Sequence, residues 1–300
     1  MNAKKIISMT LVILLAFGAI FAMTGCKKTS EKYRPDAQEV TNLEGYEVGY
    51  QLESPADGDQ IAIIHTTMGD ITLRLFPEAA PKAVENFIAL SEAGTYNGTL
   101  FHRVINDFMI QTGDYEKGDG TGGKSTWDEA FEDEFTNKLF NIKGAVSMAN
   151  NGVDSNGSQF FINTASPDSF DADAIDFDTM YDQMVDSYEM MKEYYGYQFY
   201  KSFKNADDYI RASQEEGGAG GIYPLSYEIP EEVLELYKKN GGNIHLDGAF
   251  RESGGHTVFA QVIDGFDVID KIQKAAVDEN NKPTTDIKIN SIEITTYKAK

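Results

Sequence analysis

A mainly β fold, a barrel or a sandwich, is predicted by three observations. Short runs of alternating apolar and polar residues recur along the body of the chain, as in Ile71-Thr-Leu-Arg-Leu75. Glycines separate these runs at short intervals, and few segments carry a helical period. With 41% hydrophobic and 25% charged residues in 300, a packed core is expected rather than wholesale disorder. No repeat period is visible.

The first 25 residues read as a targeting segment. Lys4 and Lys5 precede an uncharged run from Ile6 to Met23, which has the layout of a secretory signal. That run is also long enough for a marginal transmembrane helix. Cys26, the single cysteine of the protein, decides between them, because it stands where the apolar run ends. Met23-Thr-Gly-Cys26 resembles the bacterial lipobox, with Met where Leu is usual, so cleavage before Cys26 and lipidation of its thiol are expected. The protein would then be extracytoplasmic and held at the cell membrane by lipid, each buried CH₂ contributing about 0.8 kcal/mol. Residues 26–59 are polar without sustained periodicity and are expected to be a flexible tether with roughly 30 Å of reach.

The body, 60–300, opens with two strands, Ile61–Met68 and Asp70–Phe76, turning at Gly69. A helix follows over about 81–93: Pro81 suits its first turn, Val84, Phe87, Ile88 and Ser91 share a face, and Gly94 stops it. Short strands are expected at Phe108–Gln111, Gly144–Ala149 and Gln159–Asn163. Thr257–Ile263, a short helix carrying Phe266, Ile269 and Ile272, and a strand at Ile287–Ile294 complete the body. Between them, 167–244 differs in kind, with 17 acids against 6 bases and 10 of the 16 tyrosines. Met180, Met184, Tyr188, Met191 and Tyr195 fall on one helical face, and Pro230–Asn240 is a second helix stopped by Gly241-Gly242. The block reads as a helical insertion whose Met and Tyr stripe is either its own core or a client-binding surface.

Several function classes are excluded. A formal charge of −22 argues against nucleic acid as the ligand. One cysteine and four scattered histidines leave no multi-cysteine metal site, disulfide framework or helical His pair. Gly118-Asp-Gly-Thr-Gly-Gly-Lys-Ser125 satisfies a nucleotide-binding pattern, but no apolar strand precedes it and an acidic stretch follows, so a glycine-rich surface loop is expected and no nucleotide. Asp171, Asp173, Asp176 and Asp178 lack the spacing and glycine of a calcium loop. No Gly-x-Ser-x-Gly elbow occurs.

Three segments remain: Phe101–Asp114, Ser147–Gly152 and Asn156–Ile162. They mix aromatic residues with side-chain amides, and Arg103 alone supplies a cation beside His102. That set is unsuited to hydrolysis and suited to gripping an apolar ring and the amide next to it. In order along the chain, F-H-R-V-I (101–105), F-M-I-Q-x-G-D (108–114), G-T-G-G-K-S (120–125), F-E-D-E (131–134), S-M-A-N (147–150), N-G-S-Q-F-F-I (156–162) and L-D-G (246–248) resemble the cyclophilins, peptidyl-prolyl isomerases. The resemblance runs from Ile61 to Tyr297, outside the insertion. It implies an eight-stranded antiparallel closed β-barrel capped by two helices, with the groove on its outside.

It also implies site roles. Arg103, Gln111 and Phe108 would be catalytic; Met109, Ala149, Asn150, Gln159, Phe161, Leu246 and His256 would bind a proline-containing polypeptide, and no cofactor is needed. Rotation about an X-Pro bond crosses roughly 18–20 kcal/mol because nitrogen donates into the carbonyl, and a fixed cationic donor that favours the twisted amide lowers that barrier. His102 is expected to be structural and Trp127 to pack. His245 stands where many eukaryotic members carry tryptophan, so the resemblance does not by itself imply tight cyclosporin binding, and Ala249–Gly255 lengthens the link from L-D-G to His256. The alternative function is a non-catalytic holdase or assembly module that binds through the insertion.

Overall fold

The computed structural model describes residues 47–170, 177–209, 229–248 and 255–299. The signal and lipidation site, most of the tether, Asp171, Asp173, Asp176 and most of the Ala249–Gly255 link lie outside them. The described residues form two units, a larger one of 47–170, 229–248 and 255–299 and a smaller one of 177–209.

The larger unit is built on eight antiparallel strands: β1 Gln60–Thr66, β2 Gly69–Leu75, β3 Arg103–Ile105, β4 Met109–Thr112, β5 Ala145–Met148, β6 Phe160–Asn163, β7 Val258–Asp264 and β8 Ile289–Thr296. Their order is β3-β4-β6-β5-β7-β2-β1-β8. The expected closed barrel is corrected to a half-barrel. Among the described residues no ladder joins the end strands β3 and β8, and an isolated bridge between Leu100 and Lys288 stands beside the gap. The chain just before β3, not β3 itself, meets the start of β8, with the Phe101 N–H donating to the Ile287 carbonyl and the Ile289 N–H to the Thr99 carbonyl, both at 2.9 Å.

Helix α1, Pro81–Glu92, packs on β7 and β8, and α5, Phe266–Gln273, packs on β2, β3 and β4. The N-terminus of α1 is capped from a distance: the Glu134 carboxylate accepts the Lys82 and Ala83 N–H groups at 3.1 and 3.0 Å. Inside the sheet Phe87 is the hub, with Phe160, Tyr96 and Phe259 ring centroids 5.4, 5.7 and 5.2 Å away. Phe87→Ala is expected to cost about 3–5 kcal/mol of stability by leaving a cavity among these rings, read as a lowered denaturation midpoint at unchanged slope.

Two expectations about the flanks change. Residues 47–59, expected in the tether, dock on this unit by polar contacts. Gln51 is buried, donates to the Phe140 carbonyl (3.0 Å) and Gln261 Oε1 (2.8 Å), and accepts the Phe140 N–H (2.8 Å). Arg74 holds the carbonyls of Tyr50 and Glu53 and the Asp59 carboxylate. The single large helical insertion at 167–244 is also not what forms. Helix α4, Glu231–Asn240, belongs to the larger unit and buries Val233, Leu236 and Tyr237. The smaller unit contains α2, Phe177–Tyr195, and α3, Tyr197–Ser202. There Tyr188 and Met191 of the stripe are buried with Phe199, Phe203 and Tyr209, a core of the unit's own. No helix among the described residues is long and apolar enough to cross a membrane.

Candidate active site

Strand alternation sorts the residues of β3, β4 and β6 onto two faces. Val104, Ile110, Ile162 and Val146 pair across the sheet as one row, all fully buried against the core. One residue out of step with them, Arg103 pairs with Gln111 and Gln111 with Phe161. The same ladder that fills the interior therefore lines a cation, an amide and an aromatic ring along the outer face.

Arg103 is turned along that face. Its Nη1 lies 3.4 Å from Gln111 Oε1 and 4.0 Å from Met109 Sδ, and Cζ stands 6.0 Å from the Phe108 ring centroid. Partial desolvation draws its pKa below the ordinary arginine value, yet a guanidinium remains a cation. Gln111 Nε2 donates to Gln159 Oε1 at 2.9 Å, and Gln159 Nε2 donates to the carbonyls of Gly120 and Gly122 at 3.0 and 2.7 Å. A chain of amides thus fixes the acceptor that Arg103 meets.

The glycine-rich loop anchors that chain. Asp114, buried, accepts N–H groups from Glu116, Lys117, Asp119, Gly120 and Gly122 at 2.8–3.2 Å. Burial alone would raise its pKa, but these donors bring it down to about 2. The N–H groups that a phosphate would need are already turned toward a carboxylate. Gly113 permits the approach: at φ 92°, a Cβ there would stand 2.5 Å from the Ser158 carbonyl oxygen.

Several of the remaining expected residues lie around these strands, and Leu246 is half-buried at the end of the short turn Ile244–Leu246. Phe161 and Met109 are buried, and Phe108 is half-buried. His256 meets Phe161 edge-on at 5.1 Å, places Nδ1 2.9 Å from the Met148 carbonyl, and donates its N–H to the Leu246 carbonyl. Ala149 donates its N–H to the Gln159 carbonyl at 2.9 Å. Asn150 Nδ2 donates to the Gly255 carbonyl at 2.8 Å and reaches Asp133 Oδ1 at 3.3 Å. Beside Gln111 and Gln159 opens a cleft of about 350 Å³, walled by Ala149, Asn150 and the glycine loop. His102 is buried, and desolvation pushes its pKa down, which favours the neutral ring. Trp127 packs edge-on against Phe131 at 5.5 Å while staying partly exposed.

Sequence reasoning missed His245 as a contact: its ring stacks on Phe108 at 5.9 Å with an interplanar angle of 11°. It also gave no role to Asp247 in the L-D-G motif. This carboxyl is buried, and desolvation raises its pKa to about 7 against the lowering effect of donors from Tyr237 and Asn141. The signal available was an acid flanked by Leu246 and Gly248 in an apolar setting.

Residues 61–194 and 187–294 match the family described as cyclophilin type peptidyl-prolyl cis-trans isomerase/CLD. A Staphylococcus saprophyticus protein assigned by name as a peptidyl-prolyl cis-trans isomerase is 38% identical over 245 residues, which is 81% of this chain and 96% of that one. A Staphylococcus epidermidis protein of the same name is 35% identical over the same shares of each chain. A crystal structure of a Cryptosporidium parvum cyclophilin type isomerase covers 80% of this chain and 99% of its own at 24% identity and a TM-score of 0.49, too loose a likeness to build on. On the family match and the staphylococcal relatives, this chain belongs to the cyclophilin-type peptidyl-prolyl cis-trans isomerases.

Proposed function

We propose that the chain accelerates cis–trans rotation of X-Pro bonds in polypeptide substrates, with the Arg103 guanidinium as the group that stabilises the twisted imide. The observation that carries this reading is the outer row Arg103–Gln111–Phe161, with the cation held beside Met109 and over Phe108. Proline's ring would seat against Phe108, Met109, Phe161, Leu246 and His256. The chain before proline would run along Ala149 and Asn150 past the neighbouring cleft. Gln111, fixed by Gln159, holds the guanidinium along the outer face. No covalent bond breaks, so no nucleophile, metal or cofactor is called for. A coupled assay on a short X-Pro peptide tests this: catalysis well above the spontaneous rate supports it, whereas client protection from aggregation without such catalysis favours the holdase.

We also place the protein outside the cytoplasm on a lipid anchor at Cys26. What supports this is the basic start, the uncharged run Ile6–Met23 and the single cysteine that ends it. Cys26→Ser is expected to move the protein from the membrane pellet to the soluble fraction, or to leave an uncut precursor. Intact-mass measurement of the native N-terminus should show the mass of added acyl chains. A native mass without lipid would refute the anchor.

A further inference from the structure

The buried acid of the L-D-G motif is joined to a helix that lies outside the family motifs. Tyr237, on α4, is fully buried and donates its hydroxyl to Asp247 Oδ2. The other carboxylate oxygen accepts the Asn141 N–H at 2.7 Å and Asn141 Nδ2 at 2.8 Å. From there a line of buried amides leads to the groove. Asn163 Nδ2 donates to Asn141 Oδ1 at 3.2 Å. Asn243 Nδ2 donates to Asn163 Oδ1 and to the Phe108 carbonyl, both at 2.8 Å. A shorter route runs along the backbone: Leu246 N–H donates to the Asn243 carbonyl, and His256 N–H to the Leu246 carbonyl.

Asp247 is therefore the junction of two paths, one ending on Phe108 and the other on Leu246 and His256. Both end on residues proposed above to seat the proline ring. A buried carboxylate tolerates its desolvation only while donors satisfy it. Removing one of three strong donors forces the turn 243–248 to readjust. Tyr237 suits such a test because its ring has a separate job, stacking on Phe170 at 5.7 Å and 20°. That packing survives when the hydroxyl alone is removed.

We propose that Tyr237 is a positioning residue for the proline notch: through its hydroxyl on Asp247 it holds Leu246 and Phe108 at the spacing that a prolyl ring requires. The proposal rests on the isomerase reading of the groove. It makes α4 a buttress of substrate binding rather than a spacer. Arg103 and Gln111 stand on β3 and β4 and make none of the hydrogen bonds of either path. Arg103 meets Phe108 only at its ring, while the path ends on the Phe108 carbonyl, so binding should suffer more than the rotation step in the bound peptide.

The test compares Tyr237→Phe, Leu246→Ala and a control of similar size in the distant core, Ile292→Val, by saturation kinetics on an X-Pro peptide with amide NMR spectra. Tyr237→Phe is expected to raise KM about five- to tenfold with kcat within about twofold of native. Its Phe108 and Leu246 amide resonances should move, and Ile292→Val should do neither. If Leu246→Ala raises KM but Tyr237→Phe matches the control in KM and at those two amides, the positioning role is wrong and the tyrosine merely packs. If Leu246→Ala leaves KM unchanged, the notch itself has been misassigned. Should Tyr237→Phe not stay folded, the spectra would show it, and a loss of fold from one buried hydroxyl would likewise overturn a role confined to the groove.

Discussion

Arg103→Ala is expected to lower kcat/KM for an X-Pro peptide by about 10²–10³, the cost of removing one preorganised donor from a site where charge is redistributed. The loss should fall on kcat, since Phe108, Met109 and Phe161 remain to seat the ring. Stability should change little, because Arg103 is exposed at the residue level and its nearest partner is a 3.4 Å contact to Gln111. Arg103→Lys separates charge from shape. An ammonium keeps the cation but loses the rigid fork that meets Gln111 and the substrate together, so only a minor part of the rate should return. Equal rates for Lys and Arg would mean that charge alone drives the reaction.

Asp114→Ala is expected to lose about 3–5 kcal/mol of stability, as much as Phe87→Ala, because the loop loses its shared acceptor. Five loop N–H donors would lose the one buried carboxylate that gathers them. The loop carbonyls at Gly120 and Gly122 fix Gln159, so isomerase activity should fall as well. The pH dependence has a definite sign. The Asp114 pKa is about 2 when folded, below its usual value near 4, so its contribution is complete above pH 4 and disappears as pH falls through 2. Denaturation midpoints of native and variant should converge by about 2 kcal/mol across that window. Asp247 acts in the opposite direction: with its pKa raised to about 7, its ionisation opposes folding increasingly from about pH 4 to 7.

Much of the fold was legible because alternation survives in strands long enough to show it. Ile71, Leu73 and Leu75 announced β2, and the Val84, Phe87 and Ser91 face announced α1. Strand β3 was not legible, since three residues cannot display a period. The docked segment 47–59 was hidden for another reason. Gln51 and Arg74 hold it through polar contacts, which leave no hydrophobic signature in a sequence. Likewise the amphipathic face of α4 reads the same whether it serves an insertion or the main body; the contacts of Tyr237 with Asp247 and Phe170 place it. The outer row was readable from residue types and order in the motifs. Its support was not, because Asn141, Asn163 and Asn243 are far apart in the chain and unremarkable singly.

The most direct measurement of the catalytic claim follows the bond itself. Two-dimensional NMR exchange spectroscopy on an X-Pro peptide with a small amount of protein should show cis–trans exchange cross-peaks. With Arg103→Ala they should fade toward the uncatalysed level while the peptide still broadens on binding. Exchange as fast with the alanine variant as with native protein would contradict the account, as would native protein that binds the peptide and leaves its rotation at the spontaneous rate.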